Sequence, residues 1–376
     1  MNTRIFYAAL FSFLFTSCIK DEPLNMECDI LSAWVEGEEY TPYFYHETDM
    51  RIEDIASNQN KIAFVTRSLT GLPKIRVYFS LTPGATIEPA SGSEQDFSDG
   101  PIIYTVTSED GAYTRQYAIT FQEAQQKTHY QYDFEHFELG KYYNWYEIDN
   151  YIGRQDIWAT GNPGFAIANA KNSPEDYPSV VEKNGFRGNG VRLTTCDAGS
   201  LARILKKPIA AGNLYLGKFN TDKVMSNSVE ATEMGIPFAQ EPVKVTGYYK
   251  YRPGERFTDK NMTVVPNRTD SASIYAVLYP NKDNNGKSIV LNGGNVLTHP
   301  SIVRIAQVEK LPATNQWTRF EMTFKGNEHI DGKRLYNRGY NLAVVFSSSK
   351  TGNLFEGAIG STLYIDNVEI FTKEQH

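Results

Sequence analysis

Cysteine and histidine are scarce in this chain, with three Cys and six His in 376 residues. Cys28 and Cys196 lie far apart in sequence, so a disulfide framework is not expected. Neither CxxC nor HExxH spacing occurs, which argues against a zinc hydrolase. Basic residues are in the minority, 37 Lys plus Arg against 44 Asp plus Glu, for a net charge of -7. With no local Lys/Arg cluster, the chain has no means of displacing counterions from a phosphate backbone, and nucleic acid is not an expected partner. A nucleophile elbow, a phosphate loop and an ordered Ser/His/Asp set are also missing. No segment sustains a helical period between capping residues, so long helices are not expected.

What is present begins with size. The chain is too long for one ordinary core, and a hydrophobic content of 41% with 22% charged residues describes a globular protein of two domains. The first residues are not fold. Arg4 supplies a positive start, Ile5 to Phe15 is an apolar run too short to span a bilayer, and Leu14-Phe15-Thr16-Ser17-Cys18 follows. This resembles the lipobox of a bacterial lipoprotein, which implies a signal peptide over residues 1–17 and lipidation at Cys18. Ile19-Lys20-Asp21-Glu22 resembles the acidic tether of outer-membrane lipoproteins of Bacteroides-type bacteria. The expected location is therefore the outer membrane, facing the exterior, with membrane contact by the lipid anchor only.

Residues 18–126 are expected to hold a tether and an Ig-like β-sandwich. Ile75, Val77, Phe79 and Leu81 alternate with polar neighbours on one strand, and Pro83-Gly84 closes it. Pro101 to Val106 and Arg115 to Phe121 are predicted to form a hairpin through Asp110-Gly111. Residues 127–376 read as a larger all-β unit of jelly-roll type. Within it, Ser273 to Tyr279 and Asn341 to Phe346 are apolar on both faces, which predicts central strands with a core on one side and cover or ligand on the other. Arg319 to Lys325 alternates and is expected to have one wet face. In the closing strand, Leu363 and Ile365 are out of phase with Val368 and Ile370, which predicts a β-bulge at Asp366-Asn367.

Several stretches of this second unit resemble one family. Asp133-Phe134-Glu135, Trp158-Ala159-Thr160-Gly161-Asn162, Ala210 to Phe219, Gly247 to Gly254 and Leu363 to Val368 are similar to the putative carbohydrate metabolism domain of Bacteroides surface lipoproteins. An N-terminal Ig-like domain is a usual companion. The resemblance implies a jelly roll similar to carbohydrate-binding modules and to some glycosidase domains, and it carries no catalytic residues.

The candidate sugar site is an aromatic cluster after the domain start: Tyr142, Tyr143, Trp145, Tyr146, Tyr151 and Trp158, flanked by Asn144, Glu147, Asp149 and Asp156. Sugars present an apolar C–H face and a rim of hydroxyls, so aromatic platforms beside amide and carboxylate acceptors suit them. The opposing possibility for Trp145 and Trp158 is core between the sheets. Glu135 and Asp366 form a candidate structural Ca²⁺ site, since carbohydrate-binding jelly rolls often hold that ion between their first and last strands. No organic cofactor is expected. Asn281 to Gly286 copies half an EF-hand loop, but its strand-like flanks predict a hairpin turn.

The leading expectation is a surface lipoprotein that binds an oligosaccharide or polysaccharide, with other surface glycan-utilisation proteins as possible partners. One alternative is a glycoside hydrolase using two carboxylates of the same fold. Another is a structural or adhesive surface protein without a sugar site, which gains ground if Trp145 and Trp158 are buried.

Overall fold

The computed structural model describes residues 24–44, 47–67, 69–123, 128–149 and 153–373. The leader, Cys18, Tyr151 and nearly all of the joint between the domains lie outside the described residues. The chain divides into two compact units, the larger comprising residues 122–376 with the short segments 41–49 and 65–70.

The smaller unit is an Ig-like β-sandwich of two four-stranded sheets. Strand Ile75–Leu81 buries Ile75, Val77 and Phe79, as its alternation predicts. Strands Ile102–Thr107 and Thr114–Glu123 pair in register from Ile102↔Ile119 to Thr107↔Thr114. Gly111 turns their hairpin in the left-handed region at φ 71°, a conformation that suits the Asp-Gly signal. Phe79 and Tyr104 meet between the sheets at 4.8 Å between ring centroids.

The larger unit is a jelly-roll β-sandwich. Its front sheet runs Ser179–Glu182, Gly190–Thr194, Thr362–Thr372, Pro242–Arg252 and Thr314–Thr323, with His129–Tyr132 added beside Thr362–Thr372. Its back sheet runs Trp158–Ala159, Asn213–Phe219, Tyr340–Ser347, Ser273–Pro280 and Arg304–Gln307. Between them lies one core, in which Val191, Val245, Phe320 and Ile365 of the front face Leu214, Ile274, Val344 and Phe346 of the back. Among the described residues the longest α-helix has seven residues, Asn162–Ala168.

Two features of the sequence pattern find their physical cause here. Strands Ser273–Pro280 and Tyr340–Ser347 are apolar on both faces because the outer side of the back sheet is covered too, with Tyr275, Val277 and Val345 packing against Leu291 and Val296. The phase shift in the closing strand is a bulge. Thr246 pairs with Glu369 and Tyr248 with Asp366, so one strand spends an extra residue, and Asn367 adopts φ 48°. Leu363, Ile365, Val368 and Ile370 all reach the core as a result. The Asn281 to Gly286 stretch is a hairpin turn, with Asp283 Oδ1 accepting the N–H groups of Asn285 and Lys287.

Candidate functional site

The aromatic cluster expected to face solvent is largely core, and the reason lies in its pairing. Strand Tyr143–Trp145 folds back on Phe137–Leu139, so Tyr143 and Trp145 point inward while Asn144 points out. Trp145 retains 1% of its exposure. Trp158 is ringed by Tyr132, Phe134 and Phe346 at 5.2, 5.3 and 6.3 Å, and its Nε1 donates to Glu147 Oε1 at 2.8 Å. Tyr143 donates its hydroxyl to Glu175 Oε1 at 2.5 Å. Tyr142 packs against the core edge and tilts onto Tyr177 at 5.4 Å. Tyr146 is half-buried, but His136 stacks on it at 5.8 Å and the Arg154 guanidinium lies 4.2 Å from its centroid. The expectation of exposed platforms at Tyr143, Trp145 and Trp158 is therefore corrected: these side chains belong to the hydrophobic core.

Glu135 and Asp366 do come together, on one loop. Asp366 Oδ2 accepts the Arg187 N–H at 2.8 Å, and Glu135 accepts the Asn189 backbone and side-chain N–H groups at 2.7 and 2.6 Å. Gly188, at φ 61°, passes so close to Glu135 that a Cβ would collide with the carboxylate. Calcium takes about six to eight oxygens. Among the described residues no third acidic, His or Cys side chain joins the pair to make a metal-sized group. The two carboxylates accept N–H groups of Arg187 and Asn189 and so clamp the loop from Lys183 to Asn189.

That loop carries Phe186 onto the outer face of the front sheet. Phe186 lies flat on Tyr248, with centroids 3.6 Å apart and planes at 9°. Two residues along the same strand, Lys250 pairs with Tyr364, which pairs in turn with Arg192. Trp317 projects from the neighbouring strand, and Lys250 Nζ sits 4.5 Å from the centroids of both Trp317 and Tyr364. Trp317 and Tyr364 meet edge to face at 6.5 Å and 80°. All four rings are half-buried, and Arg187, Arg252 and Arg319 stand exposed around them. A sheet face with aromatic faces interleaved with long polar side chains can stack the C–H face of a sugar and bond its hydroxyls.

The sequence reading missed this strip, although part of its signal was legible. Tyr248 and Lys250 are the outward phase of their strand, and Trp317 shares the outward phase of the strand whose wet face was expected at Arg319. Bringing Tyr364 and Phe186 to them required the strand order and the clamp.

Two carboxyls, buried Asp366 and half-buried Glu147, shape the pH response. Burial pushes Glu147 up to about 7, against the pull of the Trp158 N–H and with Asp133 adding to the rise. Burial likewise pushes Asp366 up to about 6, opposed by the N–H groups of Arg187, Asn367 and Phe186. A carboxyl raised in the folded state binds its proton more tightly than in the unfolded chain, so its stabilisation is complete below the ordinary carboxylate range and is lost as pH rises through 6–7. Urea unfolding of the wild type and Glu147→Gln between pH 4.5 and 8 is expected to separate the two by a gap that changes by about 2–3 kcal/mol. A gap that stays constant across that range would show that Glu147 does not hold its proton.

The comparisons with known proteins fit this architecture. The family described as Putative carbohydrate metabolism domain matches residues 133–371. The chain belongs to that family. Residues 45–121 match the family described as SGBP, N-terminal. A crystal structure of a putative glycoside hydrolase from Bacteroides thetaiotaomicron is similar at 35% identity and a TM-score of 0.65, over 95% of this chain and 100% of that one. Another, from Bacteroides vulgatus, is 36% identical with a TM-score of 0.59, over 65% of this chain and 98% of that one. Among curated proteins none matches. The family places the chain in carbohydrate metabolism.

Proposed function

We propose that the chain is a cell-surface lipoprotein that binds a glycan along the outer face of the front sheet. The observation that carries this is the strip itself. Phe186, Tyr364 and Trp317 offer half-exposed ring surface on a rigid sheet, and Phe186 is held in place by two clamped backbone contacts. Rigid aromatic surface costs little entropy to present, and sugar rings stack on it without the protein having to rearrange. The anchor at Cys18 and the Ig-like unit would hold this domain at the outer surface, among other surface glycan-utilisation proteins.

A glycan array covering mucin and plant polysaccharide fragments, probed with a chain starting at Ile19, is expected to give selective hits. Against such a hit, Trp317→Ala is expected to weaken binding by about 1–3 kcal/mol, by analogy with other ring stacking measured by truncation, with the unfolding midpoint nearly unchanged. A blank array on folded protein would leave the strip without a ligand and favour a structural or adhesive role.

Glu147 supports a second reading. A carboxyl raised to about 7 beside Asp133 has the protonation state of a general acid, and the two relatives are described as putative glycoside hydrolases. Its proton would have to reach a glycosidic oxygen past Trp158, whose N–H already donates to the same carboxyl. Release of reducing ends from an array hit, lost in Glu147→Gln, would favour hydrolysis over binding.

A further inference from the structure

On the other side of the sandwich, the outer face of the back sheet opens into a cavity of about 400 Å³. Its floor includes Tyr275 and Val345, and its walls come from three short helices, Asn162–Ala168, Gly199–Ile204 and Val224–Asn227. The size falls within the ~300–1,000 Å³ of small-molecule sites. The walls are chiefly aliphatic, and its apolar rim is left in water: Met225 is 69% exposed and Leu205 50%. Apolar side chains concentrated at the mouth of a cavity, rather than scattered singly, mark a binding surface.

Two further observations bear on the occupant. Tyr275 keeps only 7% of its exposure, lines the cavity, and among the described residues its hydroxyl has no hydrogen-bond partner. Because Tyr275 lines the cavity, a polar atom on a ligand can meet its hydroxyl there. The charge of the lining is one-sided. Lys207 and Lys350 belong to it and no carboxylate does; Lys207 Nζ lies 5.9 Å from the Phe355 ring centroid, and neither lysine has an ion pair among the described residues. This contrasts with the front sheet, where flat rings alternate with polar side chains. Flexible walls of Leu, Val and Met conform to a flexible chain and give a sugar ring little to stack on.

We infer that this cavity is a second binding site, independent of the glycan strip, for a small molecule with a flexible aliphatic body and a carboxylate head, of the class of medium-chain fatty acids. The aliphatic chain lies between the helices and the sheet, and the head is met by Lys207 and Lys350.

Calorimetric titration of the chain from Ile19 with decanoate, below its micelle concentration, tests this against decanol of the same chain length. Decanoate is expected to bind at least tenfold more tightly than decanol. Ala168→Phe, which fills the half-exposed wall of the cavity, is expected to abolish binding while circular dichroism and array binding stay as in the wild type. The double variant K207Q/K350Q should bring decanoate down to the decanol value. Equal binding of acid and alcohol by the wild type would overturn the anionic assignment. Decanoate binding that survives Ala168→Phe would overturn the site, and no binding by folded wild type would overturn both.

Discussion

Trp145→Ala is expected to lower the unfolding free energy by about 3–5 kcal/mol, the range for removing a large buried aromatic side chain. Trp145 retains 1% of its exposure and packs in the core beside Tyr143 at 6.4 Å, so truncation leaves a cavity that the paired strands around it cannot close. Its indole N–H is buried without a hydrogen-bond partner. For that reason Trp145→Phe, which removes the unpaired donor together with part of the volume, is expected to cost clearly less than Trp145→Ala. Urea unfolding of the three proteins checks both statements. If Trp145→Ala unfolded at the wild-type midpoint but lost glycan affinity, the assignment of this residue to the core would be wrong and the cluster would be the platform first expected from the sequence.

Asp270→Ala is expected to cost a similar amount, about 3–5 kcal/mol, by a different mechanism. Asp270 is buried, and its Oδ2 accepts from Ser349 Oγ at 2.5 Å, Ser361 Oγ at 2.7 Å and the Ala358 N–H at 2.8 Å, while Oδ1 accepts the Ser271 N–H at 2.8 Å. The network continues, since Thr195 Oγ1 lies 2.6 Å from Ser349 Oγ and the Gly254 N–H donates to Ser361 Oγ at 2.9 Å. One carboxylate thus ties the end of the back-sheet strand Tyr340–Ser347 to the start of the front-sheet strand Thr362–Thr372. Removing it strands several buried donors at once. Asp270→Asn keeps the shape but turns an amide N–H₂ toward groups that also donate, so it is expected to recover only part of the loss. A loss below about 1 kcal/mol for Asp270→Ala would mean that water takes over the network and that the tie is not structural.

Much of the architecture was legible because strand period and burial are local properties. The alternation at Ile75, Val77 and Phe79, the Asp-Gly hairpin and the doubly apolar strands around Val277 and Val344 each report which sides of a strand are covered, and the bulge at Asp366-Asn367 shows as a single break of phase. The site was less legible for a reason of the same kind. An aromatic run such as Tyr142 to Tyr146 records that rings are dense, and whether they face out depends on a partner strand, here Phe137–Leu139, that composition does not specify. The front-sheet strip is assembled from residues up to 178 positions apart, Phe186 to Tyr364, and needs the register of three strands and a loop clamped by Glu135 and Asp366. Glu135 and Asp366 both hold the glycine-containing loop, because its backbone N–H groups reach their carboxylates.

The most direct test of the central claim is tryptophan fluorescence with acrylamide as quencher, with and without a saturating glycan from the array. Of the four Trp residues, Trp145 and Trp158 are buried, Trp34 is half-buried in the smaller unit, and Trp317 is half-buried on the front sheet. The glycan is expected to protect a quenchable fraction of the wild-type emission, and this protection is expected to disappear in Trp317→Phe while binding is largely retained. Protection that persists unchanged in Trp317→Phe would place the glycan elsewhere and contradict the assignment of the front sheet as the binding face.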